Sequence, residues 1–490
     1  MANKNSTLPS SGAQLQKRPP IVVVLGHVDH GKTTLISKIY ERDLTKKEFG
    51  GISQHIGAYQ IVYQGKKITF IDTPGHVAFS KMRSRGANVA DLAVLVVAAD
   101  EGVKPQTLES LKYIQEAKIP FLVAANKIDL PNVNLEWLKS NLAENGILVE
   151  GWGGNVVLVP VSARTGKGVD ELLEMIVLLW EMEEVKTNIG NLEAVVIESR
   201  LDSKRGPLAT VLVRDGVLRL GDTIRAEDVG GKIRAMINDR GKNVDIVYPG
   251  EAVEILGFSK IPPVGAKIIF GSPKEEFPVS SPGRKFPKEE ENEEKKVKIL
   301  LKADAQGTLE AVLASLPEEI KVIFSGVGNI NESDILLAKA SGAQIVGFNV
   351  GASGAVKKLA EIEEVRIKTY NIIYELLKDL EEMVLKILKS TVVNEVILGR
   401  AKIIAEFIVN NQRIAGCKVE EGEIDRRRPL HLQRDGKIIG DCQIVSLRVG
   451  RTDAEKVKKG EEFGVILSNI DFKIGDMLLS FSAAPLNGEN

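Results

Sequence analysis

The chain has 490 residues, room for several cores at about 100–200 residues per domain, and its hydrophobic content of 43% is ordinary for globular domains. Its 65 basic and 66 acidic residues leave a formal charge of -1, so no global field selects nucleic acid or membrane, and any such contact must come from local patches. Cys417 and Cys442 form no C-x-x-C pair, and no apolar run approaches the ~18 residues of a membrane helix, so a reduced cytoplasmic protein without a membrane partner is expected.

Met1 to Pro20 is polar and lacks the apolar stretch of a signal peptide, so residues 1–18 read as a flexible tail. The apolar run Ile21–Leu25 then leads into Gly26-His27-Val28-Asp29-His30-Gly31-Lys32-Thr33, and a helical stretch Thr34–Tyr40 follows. This is the phosphate-binding pattern G-x-x-x-x-G-K-[ST] in the strand, loop and helix context it needs. The glycines let the backbone curl so that successive N–H groups point at phosphate oxygens. Lys32 would reach the β- and γ-phosphates, and the Thr33 hydroxyl would ligate Mg2+.

Ile68–Ile71 is a short apolar strand ending in Asp72-Thr73-Pro74-Gly75-His76. Alone this is a plain turn. Following a phosphate loop, Asp72 can hold Mg2+ through water, and Gly75 can bring an N–H to a γ-phosphate without a Cβ clash. Leu92–Ala98 reads as a strand covered on both faces, Gln106–Ala117 as a helix, and Phe121–Ala125 as a second buried strand. That strand opens into Asn126-Lys127-Ile128-Asp129. Guanine presents N1–H and an exocyclic amine, and one carboxylate, Asp129, can accept both. Adenine lacks that pair and would leave the charge unmatched. Asn126 can bridge base and phosphate loop, and the Lys127 stem can cover the ring. Val157–Val161 brings a last strand to Ser162-Ala163-Arg164, where the N–H near Ala163 can meet the guanine O6, before a helix from Val169 to about Glu184. The alternation predicts a doubly wound α/β domain over 19–184 with ligand loops at the carboxyl ends of its strands. His76, directly after Gly75, is placed to orient the attacking water. Gly50 to Gly57 is the candidate γ-phosphate-sensing loop, with Ser53 offering a hydroxyl to Mg2+.

Farther on, residues 185–273 show short β-rich runs, among them Ala194–Ile197, Ala209–Val213 and Ala252–Leu256, between Asp-Gly, Gly-Asp and Pro-Gly turns, as in a small β-barrel. Residues 274–296 are rich in Pro, Lys and Glu and read as a charged linker. Strand–helix alternation returns over 297–368, a smaller α/β domain without nucleotide motifs. Over 369–396, Ile372, Ile373, Leu376, Leu380, Met383, Val384 and Ile387 fall at helical spacing, which predicts a connecting helix. Short strands and turns over 397–486 predict a second barrel.

Gly26–Thr33 with Asp72–His76 resembles the translational GTPases, and the run Gly50-Gly-Ile-Ser-Gln-His-Ile-Gly-Ala-Tyr59 narrows the resemblance to bacterial translation initiation factor two. Leu300–Asp304, Gly326–Gly328, Glu332–Asp334, Gly347–Val350 and Ile414–Cys417 also match that family. The resemblance implies a GTPase using GTP and Mg2+, with Thr33, Ser53 and Asp72 at the metal, His76 as catalytic residue, and Val28 with Ile52 as an apolar gate. It implies both ribosomal subunits, initiator formylmethionyl-tRNA and other initiation factors as partners of a monomer. The C-terminal barrel would hold the formylmethionyl end near Cys417, Glu462 and Gly464, with Arg448 engaging the tRNA backbone. Ser53 stands where the family usually has threonine, Arg164 where it has lysine, Val449-Gly450 where it has arginine and tyrosine, and Phe463 where cysteine is common. Another translational-superfamily GTPase and a non-hydrolysing GTP-binding scaffold are the alternatives.

Overall fold

The computed structural model describes residues 17–41, 53–183, 191–271, 296–391, 395–409, 412–434, 436–468 and 470–483. Most of the 1–18 tail, the Gly50–Ile52 part of the sensing loop and nearly all of the charged linker lie outside these. The chain divides into two compact units, Met1–Val384 and Leu385–Asn490.

The amino-terminal domain is built on β1 (Ile21–Gly26), a run of β-branched and aliphatic residues buried along its whole length. Each such side chain contributes about 1.5–3 kcal/mol when fully buried, and β-branching favours the extended backbone. Then come α1 (Lys32–Tyr40), β2 (Gly57–Tyr63), β3 (Lys66–Asp72), α2 (Ser80–Val89), β4 (Leu92–Ala98), α3 (Pro105–Ala117), β5 (Phe121–Asn126), α4 (Leu135–Glu144), β6 (Leu158–Pro160) and α5 (Val169–Met182). The sheet order is β2-β3-β1-β4-β5-β6, antiparallel between β2 and β3 and parallel elsewhere. Register decides where the chemistry sits. Val24 pairs with Asp72, Gly26 with Val96 and Ala98 with Asn126, so every strand delivers its loop to one edge. The amphipathic α1 packs Leu35, Ile36, Ile39 and Tyr40 into the same core as β1 and β4. Arg18, assigned to the tail from the sequence, is instead buried and paired with Asp91 at 2.5 Å, so the domain begins before it.

Six strands between Glu193 and Phe270 close into a barrel around Val196, Val211, Ile255 and Ile268. The α/β domain that follows has a parallel sheet of four strands, Ile320–Val327, Val297–Ala303, Gln344–Phe348 and Ile367–Tyr370 in spatial order. The expected boundary at 368 cuts this last strand, whose four residues are too short to announce themselves in the sequence. A helix Ile373–Thr391 comes next, four residues inside the expected start at 369 because residues 367–370 are taken by that strand.

The second unit is a nine-stranded antiparallel sheet wrapped on one core containing Ile403, Cys417, Leu447 and Val465. Its end strands, Lys437–Cys442 and Thr452–Asp453, are not paired with each other, so among the described residues this barrel has an open seam. No helix among the described residues is long and apolar enough to cross a membrane.

Candidate nucleotide site

The loop from Gly26 to Lys32 wraps a cavity of roughly 210 Å3 lined by Val28, Asp29, Gly31, Lys32, Thr33 and Thr34, closed on the far side by Ser53, Gly75, His76 and Tyr374. Gly31 lies at φ 85, where a Cβ would come within 2.5 Å of the Asn126 amide nitrogen, so only glycine fits. A Cβ on Gly75 would meet Lys32 Nζ at 2.6 Å, which shows how closely the two phosphate-facing turns approach.

Lys32 is buried and donates to the His27 carbonyl at 2.5 Å, and burial lowers its pKa to about 8. Burial raises the Asp72 carboxyl to about 6, and its Oδ1 has no hydrogen-bond partner among the described residues. Thr33 Oγ1 and Ser53 Oγ stand 2.5 Å apart, and Ser53 Oγ donates to Asp72 Oδ2 at 3.2 Å. The three residues singled out for a metal therefore touch one another. An all-oxygen set with an orphaned carboxylate atom suits a hard cation, and a desolvated lysine suits phosphate.

The two turns expected to read guanine are tied to the Gly26–Thr33 loop by one side chain. Asn126 Nδ2 donates to the His30 carbonyl at 2.8 Å, and its Oδ1 accepts from Ala163 N at 2.9 Å. Asp129 is exposed and accepts from Ser162 Oγ at 2.7 Å, a bond that holds its carboxyl below the usual range. Lys127, at φ 65, is fixed by Glu101 at 2.9 Å. Ile128 N donates to Val161 O, and Arg164 is exposed beside this turn. Thr73 Oγ1 donates to Val24 O, securing the start of the Asp72–His76 turn on β1, and Pro74 O accepts from Arg83.

Several residues here escaped the sequence reading. Arg83, fully buried on α2, donates to the carbonyls of Pro74 at 3.1 Å and His76 at 2.5 Å and pairs with Glu109 at 2.6 Å. Gln106 Oε1 accepts from Val28 N at 2.9 Å, and its place after Pro105 at a helix start was the only available hint. Tyr374 packs edge-on against His76. His76 Nδ1 accepts from Ala78 N at 3.1 Å, and burial, with Arg83 nearby, lowers its pKa. His30 is buried, which pushes it down to about 4.

The four residues expected at a tRNA end do not share one face. Cys417 is in the core and pairs with Phe463, and burial pushes its thiol up to about 12. Gly464 lies between Gly416 and Arg448 on adjacent strands, and Glu462 pairs with Lys418. Neighbours along a strand alternate faces, so Cys417 and Phe463 point inward while Glu462, Gly464 and Arg448 belong to the outer face.

A single nucleotide explains why three distant turns converge on one sheet edge, and the class that follows is the GTPases. Residues 17–182 match the Elongation factor Tu GTP binding domain, 191–270 Elongation factor G domain 2, and 282–381 Translation-initiation factor 2. The chain is 44% identical to Translation initiation factor IF-2 of Halothermothrix orenii over 96% of its length and 72% of that protein. It is 45% identical to Translation initiation factor IF-2 of Persephonella marina over 95% of its length but only 56% of that relative. The crystal structure of GDP-bound aIF5B from Aeropyrum pernix aligns over 95% of this chain and 92% of its own, at 28% identity and a TM-score of 0.45. The chain belongs to the translation initiation factor IF-2 family and is a translational GTPase.

Proposed function

We propose that this protein positions initiator formylmethionyl-tRNA on the small ribosomal subunit, promotes joining of the large subunit, and hydrolyses GTP when the ribosome stimulates it. The observation that carries the reading is the meeting of the nucleotide site with the helix that leads in sequence to the C-terminal unit. Gln54 Nε2 donates to Asn371 O at 2.8 Å, its Oε1 accepts from Ile373 N at 3.3 Å, and Tyr374 lies on His76.

Thr33, Ser53 and Asp72 would hold Mg2+, which when bound neutralises charge on the β- and γ-phosphates. Lys32 adds a desolvated positive charge there, and the backbone of Gly26–Thr33 offers N–H donors. His76 is kept neutral by burial and the nearby Arg83 cation, so once its Nδ1 is released from Ala78 N it can accept a hydrogen bond from water and orient it. Arg83 holds the two carbonyls flanking Gly75 and so fixes where the imidazole starts. The Ser53 segment touches both the metal residues and the helix start, so losing the γ-phosphate would loosen both. The outer face around Arg448, Gly464 and Glu462 would take the tRNA end, with the buried Cys417 contributing to the core instead.

The test is light scattering of subunit joining with the full chain, initiator tRNA and GTP, beside His76→Ala. Joining should be faster with the protein and GTP, and His76→Ala should still join subunits while losing stimulated hydrolysis. Joining unaffected by the protein, or wild-type hydrolysis by His76→Ala, would overturn the reading.

A further inference from the structure

A second cavity, of roughly 340 Å3, lies where the first barrel meets the α/β domain. Its position follows from topology. The strand Val297–Ala303 sits in the sheet between its two successors, Ile320–Val327 and Gln344–Phe348, so the chain changes sides about it. In a parallel sheet such a change of side opens a crevice beyond the carboxyl ends of the strands. Asp304, Gly328 and Asn349 follow these three strands directly, and all three line the cavity. The barrel supplies the facing wall, which includes Glu198 and Arg200, and Arg200 bridges to Ala305.

A crevice of this kind often seats an anion on a helix N-terminus. Here that place is filled by the protein itself. Glu198 Oε1 accepts from Gly307 N at 3.1 Å, in the first turn of the helix Gln306–Ala314, and from Ser199 N at 2.9 Å. What remains is a set of acceptors. Glu198 is only 6% exposed, and its Oε2 has no hydrogen-bond partner among the described residues. The buried Oδ1 of Asn349 likewise has none among them. Four carboxylates line the cavity, those of Glu198, Asp202, Glu254 and Asp304, against Arg200 and His55. Arg200 is engaged by Glu254, and His55 Nε2 lies 2.8 Å from Asp304 Oδ2. Burial pushes the Glu198 carboxyl up, a cost that a cation beside Oε2 would offset.

We propose that this cavity binds a small organic cation of the alkyl polyamine class, with Glu198 Oε2 and Asn349 Oδ1 as buried acceptors for its N–H groups.

Size and donor chemistry separate this from a metal site. A water molecule occupies about 30 Å3 of the liquid, so the cavity is larger than one dehydrated ion needs. No three His, Cys, Asp or Glu side chains among the described residues come together as metal ligands do. An ammonium group instead carries up to three donors, and can serve a carboxylate and an amide oxygen alike. Leu201 and Val350 also line the cavity and give the methylene chain an apolar wall.

The test is calorimetric titration of spermidine into the full chain, free of nucleotide so that no phosphate competes, and into three variants. Glu198→Gln keeps an oxygen for Gly307 N but removes the charge, and should weaken binding about tenfold, the scale of one bond to a charged group. Asn349 stands at φ 52, which aspartate also tolerates, so Asn349→Asp adds a charge at the second acceptor and should tighten binding. Glu136→Gln makes the same change of net charge on α4, outside the cavity, and should bind as wild type does. Binding should be one-to-one, and equimolar Mg2+ should not displace it. The inference is overturned by no saturable binding, by Glu198→Gln binding as tightly as Glu136→Gln, by Asn349→Asp binding no more tightly than wild type, or by displacement with Mg2+. The two cavity variants are expected to move affinity in opposite directions, a pattern that loss of folding does not imitate.

Discussion

The imidazole of His76 and the phenol ring of Tyr374 meet edge to face, 4.1 Å between centroids and 86° between planes. The contact joins the turn after β3 to the first helical turn after the α/β domain, and it supplies part of the burial that keeps His76 neutral. Removing that cover with Tyr374→Ala should let the His76 pKa rise towards its ordinary value. A histidine base is active when neutral, so the acid limb of the pH profile for ribosome-stimulated hydrolysis should move to higher pH. Tyr374→Phe keeps the ring and should leave the profile in place. An unchanged profile in Tyr374→Ala would show that Tyr374 does not shield the imidazole.

Arg83 is a fully buried cation answered by Glu109 and two carbonyls. Arg83→Ala leaves both carbonyls without that donor and Glu109 with Tyr113 Oη alone, and each buried acceptor left unsatisfied costs about 1–3 kcal/mol. The amino-terminal domain should unfold at lower denaturant, and stimulated hydrolysis should fall more than GTP affinity does. A variant with wild-type stability and turnover would remove Arg83 from the account of the turn.

We propose that Asp129 selects the base. Its carboxylate offers two acceptors to a base edge that offers two donors, whereas an amide offers one acceptor and one donor. Asp129→Asn should lose GTP affinity by about a hundredfold, the scale of mismatching a charged hydrogen-bonding pair. It should gain xanthosine triphosphate, whose corresponding edge carries a carbonyl in place of the amine. Competition between the two nucleotides, read by fluorescence, distinguishes this from a general loss of binding.

His30 gives the acid behaviour. Its folded pKa is about 4 against 6.5 for the free side chain, because burial opposes the charge. A base whose folded pKa is depressed binds fewer protons folded than unfolded, so the His30 contribution to stability rises with pH between about 4 and 6.5 and is lost on acidification across that window, while the Asp72 carboxyl, raised to about 6, acts in the opposite sense. The full difference is about 3 kcal/mol, from about 1.4 kcal/mol per pKa unit. His30→Gln, which cannot titrate, should flatten that part of the stability profile, measured by chemical denaturation at stepped pH. An unchanged slope would place the acid sensitivity elsewhere.

The phosphate loop could be read without a structure because its conformation is local. A β-branched strand, a glycine at φ 85 and the lysine after it occupy consecutive positions, and short-range sterics fix their path. Asn126 and Asp129 were legible for a related reason, since a buried strand of Val and Ala delivers them to a known edge. The helices α2 and α4 and the antiparallel β2 were passed over because their periodicity is weak over short lengths. With α2 went Arg83, whose partners declare themselves only once the turn and helix pack.

Amino-acid order alone thus determined the GTPase class of the first domain, the three turns that meet at one sheet edge and the succession of modules. Packing decided the rest. Gln54 meets Asn371 across 317 residues of chain, Asp239 gathers Tyr40 and Gln60 from another domain, and Cys417 turns inward because strand pairing sets its face. Consecutive residues constrain one another through bond geometry. Contacts between distant segments exist only where buried surfaces of whole domains select one docking, and no short stretch of the chain contains that choice.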